Sequence, residues 1–584
     1  MSTYTIGIDL GTTNCTLAYC ALDQKNADIH LFDIPQVTAA SSCADKPLLP
    51  SFVYFPLPEE LQAKVAGVDW DPSRNHCIGT FAKERGGELP GRVIASAKSW
   101  LCYSGINRRE KILPVGTEDE IPKMSPLEAI AELLRHLREA WDHKMGKTPF
   151  VDQQVLITVP ASFDPSARQL VQEAAQLAGY PEVVLLEEPQ AAFYAWLKTH
   201  EDNWREKLTV GDCVLVVDIG GGTTDFSLIN VVADGGNLTL NRMAVGDHLL
   251  LGGDNIDLSL AYLAKNKLEE QGQTIDEWQF RSLVHLCRQA KEKLMATESP
   301  ERVDITLMGR GSRLIGGTLK TTISRDEAQK LIVDGFFPLI DFQEQAQPER
   351  RHGIQQIGLP YAQDPRISSQ LAKFLSMDNA FVMPTALLFN GGSLKGEALQ
   401  KRLEELLNHW AKQLNKEPIK LLPGPDLDFA VSRGAVYYGL ARQGKAMRIK
   451  SGASRSYFIG VEDAMPAVPG IAPPLKAICV VPFGMEEGTE KELDHQEFTL
   501  LLGQNATFRF FSGSSEIPMG TVIKNWKQEL VELHPIETHL ERTSLDAKTV
   551  HVKLKSKITE LGVLELWCVA PDERKWKLEF DTRL

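Results

Sequence analysis

Apolar positions along the chain fall into two regimes. Up to about residue 442, short unbroken apolar runs alternate with segments of helical spacing; beyond it, apolar and polar residues tend to alternate singly. Residues 4–10, YTIGIDL, and 213–219, CVLVVDI, are β-branched runs that predict buried strands, and QVLITV at 154–159 is a third, ended by Pro160. Ser125-Pro126-Leu127-Glu128 opens a helix with a capping box and a proline at its first position. Ile130, Leu133, Leu134, Leu137 and Trp141 then recur at helical spacing. A second helix is predicted from Asp164-Pro165 through Arg168, Leu170, Val171 and Ala174 to a stop at Gly179. Residues 256–299 and 324–377 read as mainly helical, with a loop or extended insertion between Gln343 and Arg366. Strand, turn, helix, strand is the order of an α/β domain.

The period changes across Gln443 to Phe458, QGKAMRIKSGASRSYF, which holds four basic residues and no acid. This segment predicts a basic linker over 443–456. Past it, Val550, Val552 and Leu554 alternate with His551, Lys553 and Lys555, and Trp576, Leu578 and Phe580 alternate with Lys577 and Glu579. Turn signals at Gly484, Gly503-Gln504-Asn505, Gly562 and Pro571-Asp572 separate the runs, so 457–584 reads as an antiparallel, β-sandwich-like domain.

Length and charge narrow the function. A chain of 584 residues exceeds what one core supports, so at least two domains are expected. The net charge of −14 disfavours nucleic acid as a partner. Nine scattered cysteines without a C-x-x-C pair argue against a zinc site or a disulfide framework. No basic leader precedes the first strand, and no apolar run nears the ~20 residues of a membrane helix, so a cytoplasmic protein without a membrane partner is expected.

Candidate chemistry lies in two similar blocks. Asp9-Leu10-Gly11-Thr12-Thr13-Asn14 and Asp218-Ile219-Gly220-Gly221-Gly222-Thr223-Thr224-Asp225 each follow an apolar strand. Glycines let backbone N–H groups approach phosphate oxygens, and threonine hydroxyls add neutral donors. An aspartate at each strand end can hold Mg²⁺ through its waters. One such turn is more often an ordinary β-turn; two, each behind a strand ending in Asp, point to an internal repeat of two facing halves. Neither block matches the P-loop. A third glycine turn, Phe389-Asn390-Gly391-Gly392-Ser393, follows the apolar run Ala386-Leu387-Leu388 and precedes a helix starting near Lys395.

These motifs resemble the Hsp70-type chaperone family, within the actin, hexokinase and Hsp70 ATPase superfamily. GIDLGTTN resembles the first phosphate motif, VVDIGGGTTDFSL the second and LLFNGGSLKGEALQKRL the adenosine motif. VLITVPASFDPSARQLVQEAAQLAG followed by LLEEPQAAFYAW resembles the connecting segment. The resemblance covers 4–442 and implies a duplicated actin-like (ribonuclease H-like) ATPase domain of two lobes over 1–442, with ATP or ADP and Mg²⁺ as cofactors. It implies that Asp9, Asp218, Asp225 and Glu188 surround the metal and that Lys98 sits at the γ-phosphate. Thr12, Thr13 and Thr223 are then hydroxyl contacts to phosphates and water, with Gly11, Asn14, Gly220, Gly221, Gly222 and Thr224 completing the turns. Gly252 and Gly253, with Asp254, resemble a stretch near the phosphates. Lys291, Gly391, Gly392, Ser393 and Lys395 fall on the adenosine side, with Asp428 nearby. Pro160 and Arg168 match a switch pair that relays nucleotide state. Catalysis by Asp9, Lys98, Glu188, Asp218 and Thr223 would be slow hydrolysis of ATP.

Departures from the family pattern carry their own expectations. Arg288 stands where the family has Glu, Met295 where it has Ser, and Lys395 where it has a stacking Arg, which predicts weaker or rearranged base contacts. Val184 replaces an Arg that helps dock J-domain co-chaperones, so the resemblance does not carry that partner across. The acidic, leucine-rich linker of the family is replaced by the basic segment. Arg455-Ser456-Tyr457-Phe458-Ile459-Gly460-Val461-Glu462 resembles the first strand of the family's substrate-binding β-domain, while the length to Leu584 leaves no room for a helical lid. The implied function is an ATP-dependent chaperone that binds exposed apolar segments of client proteins, with a nucleotide-exchange factor as a further partner. Alternatives are a nucleotide-bound adaptor or assembly protein with little turnover, and an actin-superfamily small-molecule kinase.

Overall fold

The computed structural model describes all residues except 1, 24–27, 104, 118–119, 164, 202, 235–236, 247–248, 297, 309–317, 347–358, 360, 378–379, 425, 446–455, 463–473, 483–484, 486–488, 494–495, 504, 514–516, 534–535, 540–548, 559–562 and 582–584. The chain divides into two compact units. One comprises Met1–Leu208, Asp212–Leu228 and Val245–Arg448; the other comprises Thr209–Gly211, Ile229–Ala244 and Ile449–Leu584.

The larger unit is mixed α/β. Its first half contains strands β1 (Tyr4–Leu10) and β2 (Asn14–Ala21), helices α1 (Ala97–Cys102) and α2 (Pro126–Lys144), strand β3 (Gln154–Val159), helix α3 (Pro165–Leu177), strand β4 (Val183–Glu187) and helix α4 (Glu188–Thr199). Its second half contains β5 (Cys213–Ile219), the residues Thr224–Leu228 of β6 (Thr224–Asp234), α5 (Gly253–Glu270), α6 (Glu277–Leu294), β7 (Ala386–Asn390), α7 (Glu397–Gln413), β8 (Lys420–Leu422) and α8 (Ala430–Arg442). In the first sheet β4, β3, β1 and β2 are neighbours in that order; in the second, the order β8, β7, β5, β6 has the same pattern. β1 pairs in parallel with β3, and β5 with β7. These central strands are buried on both faces, which is why they read as unbroken apolar runs.

The helix predicted after Ser125 forms with its capping box: the Ser125 hydroxyl accepts from the Glu128 amide at 3.0 Å, and the Glu128 carboxylate accepts from the Ser125 amide at 2.9 Å. Trp141 on this helix is fully buried and meets Tyr4 and Tyr19 edge-on with centroids 5.6 and 5.3 Å apart, which ties α2 to the first sheet. α3 runs from Pro165, and the Asp164 expected to start it lies outside the described residues. The mainly helical reading of 256–299 resolves into α5 and α6. That of 324–377 holds only for 325–336 and Ile367–Leu375 among the described residues; most of the loop expected between Gln343 and Arg366 lies outside them. Gly392–Lys395 form one tight 3₁₀ turn, and the helix expected near Lys395 follows as α7 from Glu397.

The smaller unit is built of antiparallel pairs. β9 (Ser456–Glu462) pairs with β10 (Leu475–Val481) and β11 (Phe510–Gly513), while β12 (Thr549–Ile558), β13 (Val563–Val569) and β14 (Lys575–Asp581) form a meander. Tyr457, Ile478 and Phe510 of the first sheet share one core with Val552, Leu554 and Leu564 of the second. The alternation expected over 550–555 is realised, with Val552 and Leu554 buried and His551 exposed. Residues 446–455 of the expected linker, and the turn residues Gly484, Gln504 and Gly562, lie outside the described residues.

Candidate functional site

Both aspartates sit at the C-terminal ends of central strands, and each faces a polar side chain on its parallel neighbour. Asp9 of β1 is in register with Thr158 of β3, and Asp218 of β5 with Asn390 of β7. The Asn390 side-chain amide donates to the Asp218 carboxylate at 2.6 Å. Thr158 Oγ1 lies 3.5 Å from the Asp9 carboxylate and donates to the Ile8 carbonyl at 3.3 Å. The strand ends open into a cavity of about 460 Å³. Asp9, Asp218, Lys98, Glu188 and Thr223 all line it, as do Gly11, Thr12, Thr13, Asn14, Gly220 and Gly221. Lys291, Gly391, Gly392, Ser393, Lys395 and Asp428 line it too.

Not every expected residue reaches the cavity. Thr224 is fully buried and donates to the Leu251 carbonyl at 2.6 Å, so it braces the turn from the protein side. Asp225 is buried and accepts from the Ser162 hydroxyl. Gly222, Gly252 and Gly253 shape the turn without lining the cavity: Gly253 N donates to the Gly220 carbonyl at 3.1 Å, and Asp254 N to the Gly221 carbonyl at 2.6 Å. Gly391 has φ +88°, and a Cβ there would stand 2.5 Å from an Asp218 carboxylate oxygen. Only glycine therefore fits between the third turn and the aspartate.

Lys98 is 6% exposed and Glu188 9% exposed, and they meet at 2.5 Å. Lys98 is carried on α1, and Glu188 is the first residue of α4. Burial opposes the lysine's charge, but Glu188 and Asp9 outweigh it and raise its pKa above the ordinary value. The Asp9 carboxyl is pushed up to about 7, first by burial and then by Glu188. Burial, with Glu188 and Asp225 next, pushes Asp218 well above the usual carboxylate range. Crowded carboxylates of this kind are costly to ionise together unless a cation joins them.

Among the described residues no three His, Cys, Asp or Glu side chains converge as direct ligands of a metal ion. A Mg²⁺ ion fits this arrangement nonetheless, because it keeps several waters and is held by one or two carboxylates plus substrate phosphates. The buried Asn390 Oδ1, which has no hydrogen-bond partner among the described residues, supplies an acceptor beside Asp218 for such a water.

The side of the cavity formed by α6 is a network of charges. Arg288 is buried and forked, Nε to Asp257 at 2.7 Å and Nη2 to Asp254 at 2.6 Å. Lys291 pairs with the other Asp257 oxygen at 2.7 Å and donates to the Gly253 carbonyl at 3.1 Å. Asp254 also accepts from Ser96 at 2.8 Å, two residues before Lys98. Lys395 pairs with Asp428 at 2.5 Å, and Ser393 donates to the Gly220 carbonyl at 2.8 Å. Met295 lines the cavity beside Gly396. The expected switch pair is buried as well: Arg168 donates to the Ala161 carbonyl at 3.0 Å and lies 3.3 Å from Glu187.

Asp257 and Asn390 are site residues to which the sequence motifs assign no role. Asn390 falls within the third glycine turn, and the strand register gives it its role, since pairing Val214 with Ala386 brings it level with Asp218. Asp257 has no such signal: its role depends on Arg288, three turns into the next helix.

Residues 5–345 match the model of the Hsp70 protein family, and the chain belongs to that family. A chaperone protein HscA homolog from Acinetobacter baumannii is 30% identical over 305 residues, covering 51% of this chain and 43% of that protein. A heat shock protein from Pyricularia oryzae is 27% identical over 515 residues, 86% of this chain and 71% of that protein. An HscA homolog from Haemophilus influenzae is 28% identical over 336 residues, 57% of this chain and 46% of that protein. The chain thus spans less than half the length of the HscA homologs it matches. Among the described residues no helix is long and apolar enough to cross a membrane.

Proposed function

We propose that this chain is an Hsp70-like, ATP-dependent chaperone, in which slow hydrolysis of Mg²⁺-bound ATP is coupled to binding of exposed apolar segments of client proteins. The observation that carries the reading is the convergence of Asp9, Lys98, Glu188, Asp218 and Thr223, distant in sequence, on one cavity with three glycine turns. Residues 1–442 are then a duplicated actin-like, ribonuclease H-like domain, supported by the matching strand orders of its two sheets. Residues 443–456 are a linker, and 457–584 a β-sandwich-like domain for clients. A nucleotide-exchange factor is a further partner.

The residues divide the chemistry among them. Backbone amides and hydroxyls of the turns at Gly11–Asn14 and Gly220–Thr223 bind phosphate oxygens. Asp9 and Asp218 would hold a Mg²⁺ ion, with Asp225 and Glu188 adding negative charge. When bound, that ion offsets charge on the phosphates and on the leaving oxygen. Lys98, kept cationic by Glu188, faces the terminal phosphoryl group, and Glu188 and Thr223 orient the attacking water. No side chain needs to form a covalent bond; the work is positioning.

The coupling is tested with a fluorescent apolar peptide titrated against the full chain without nucleotide, with Mg²⁺-ADP and with Mg²⁺-ATP. Its affinity should differ between the two nucleotides. An affinity that ignores nucleotide would remove the chaperone reading in favour of an adaptor.

A further inference from the structure

Lys98 is carried on a helix of only six residues, and the start of that helix is held from elsewhere. Ser96, the residue before it, has φ +53° and ψ +32°, a left-handed conformation that a serine adopts only at a cost. Its hydroxyl does not cap its own helix. It donates instead to the Asp254 carboxylate at 2.8 Å, from the first half of the larger unit to the second. Asp254 is fixed in turn. Its amide donates to the Gly221 carbonyl of the second glycine turn at 2.6 Å, and its other carboxylate oxygen accepts from Arg288 at 2.6 Å. Arg288 is pinned as well: Nε donates at 2.7 Å to Asp257, one turn beyond Asp254 on α5, and the guanidinium lies 5.5 Å from the ring centroid of Phe52 in the first half. A planar guanidinium can fork between two carboxylates one helical turn apart, as a point-like ammonium does not. A glutamate, which the family pattern expects at this position, would repel both.

We infer that Arg288 is a positioning residue for hydrolysis: by fixing Asp254 it holds Ser96, and so sets Lys98, two residues on, in its contact with Glu188 at 2.5 Å. The inference rests on the reading of the cavity as a hydrolytic nucleotide site and adds a residue that acts on its lysine from a distance. A misplacement of about 1 Å at a reacting group lowers a rate by about 10²-fold. A lysine whose helix is loosened at its first turn therefore loses rate before the site loses affinity. The contacts of α6 with the first half do not all pass through Arg288. Lys83 pairs with Glu292 at 3.1 Å, and the His285 ring lies so close to Gly86 that a Cβ there would stand 2.8 Å from it. Asp257 keeps Lys291 at 2.7 Å when Arg288 is replaced.

The test is single-turnover hydrolysis at saturating Mg²⁺-ATP, read beside the dissociation constant for ATP, on the full chain, on Arg288→Met, on Ser96→Gly and on the double variant. Arg288→Met should lower the rate by about tenfold or more and leave the dissociation constant within about threefold. Ser96→Gly removes the hydroxyl but gives the left-handed position to the residue that adopts it most easily, so the rate should fall by about tenfold without backbone strain to blame. It also carries the test by itself if the Arg288 variants do not fold. The double variant should be no slower than the slower single one, within about twofold, because both changes break one chain of contacts. Ser96→Gly at the parent's rate, or losses that multiply in the double variant, would overturn the inference and leave the hydrolytic reading standing. Weaker ATP binding at the parent's rate in Arg288→Met would make Arg288 a nucleotide contact and overturn it too. A parent chain that binds ATP and releases no phosphate would overturn the hydrolytic reading, and the inference with it.

Discussion

His136 shows how a single buried side chain sets a pH limit on the fold. Arg74 lies 2.8 Å from its Nδ1, and because a guanidinium only donates, Nδ1 must accept. The ring proton is then on Nε2, which donates to the Pro35 carbonyl at 2.9 Å. Burial and the adjacent Arg74 charge push its pKa down to about 3. An unfolded histidine titrates near ~6.5, so between those values the unfolded chain binds the extra proton. The stability from neutral His136 is present above pH ~6.5 and is lost as pH falls toward 3. One proton changes stability by about 1.4 kcal/mol per pH unit, so the parent chain should lose stability relative to His136→Gln between pH 6 and 5, read from the two urea midpoints. A difference between the two chains that does not change with pH would contradict the tautomer and burial described. The same scale shows what sequence alone conceals. Asp9 and Asp218 are legible because motif and strand end coincide, and Lys98 only through the family resemblance, whereas Asp257 becomes visible only when two helices pack and Arg288 reaches across.

At the level of elements, local signals and tertiary structure agree most closely where the chain carries its own punctuation. α2 begins where Ser125-Pro126 and Glu128 require it, and both capping-box hydrogen bonds form. Ser125→Ala leaves the Glu128 amide without its acceptor and should lower stability by about 1 kcal/mol, read from the urea midpoint at constant slope. A loss indistinguishable from zero would mean that packing of Trp141 against Tyr4 and Tyr19 alone holds the helix. β1, β3, β5 and β7 are legible for a different reason, since strands covered on both faces need unbroken apolar runs. The segment 324–377 departs from its helical reading because its residues have helical propensity without a sustained apolar face. Among those described, helix survives only where a cap or a packed face supports it: Ser324 caps Arg325–Gln329, and Ile367–Leu375 buries Ile367, Leu371 and Leu375.

Across the whole molecule, the two sheets of the larger unit repeat one arrangement: a strand ending in Asp, a glycine turn and a return strand hydrogen-bonded beside it, with parallel neighbours on the far side. The repeat is legible in the two aspartate blocks, because the same backbone geometry needs the same glycines and threonines. How the α6 charges close one side of the cavity is not, since the family pattern predicts a glutamate where Arg288 stands. Every role proposed for these residues depends on the cleft being a hydrolytic ATP site. Single-turnover hydrolysis of γ-labelled ATP with Mg²⁺, run side by side on the parent chain and on Lys98→Ala, tests this most directly. The parent should release phosphate slowly, and the variant should fall by about 10²-fold or more, because the cation facing the terminal phosphoryl group is gone. A parent chain that binds ATP but releases no phosphate, or a Lys98→Ala chain that matches its rate, would contradict the account.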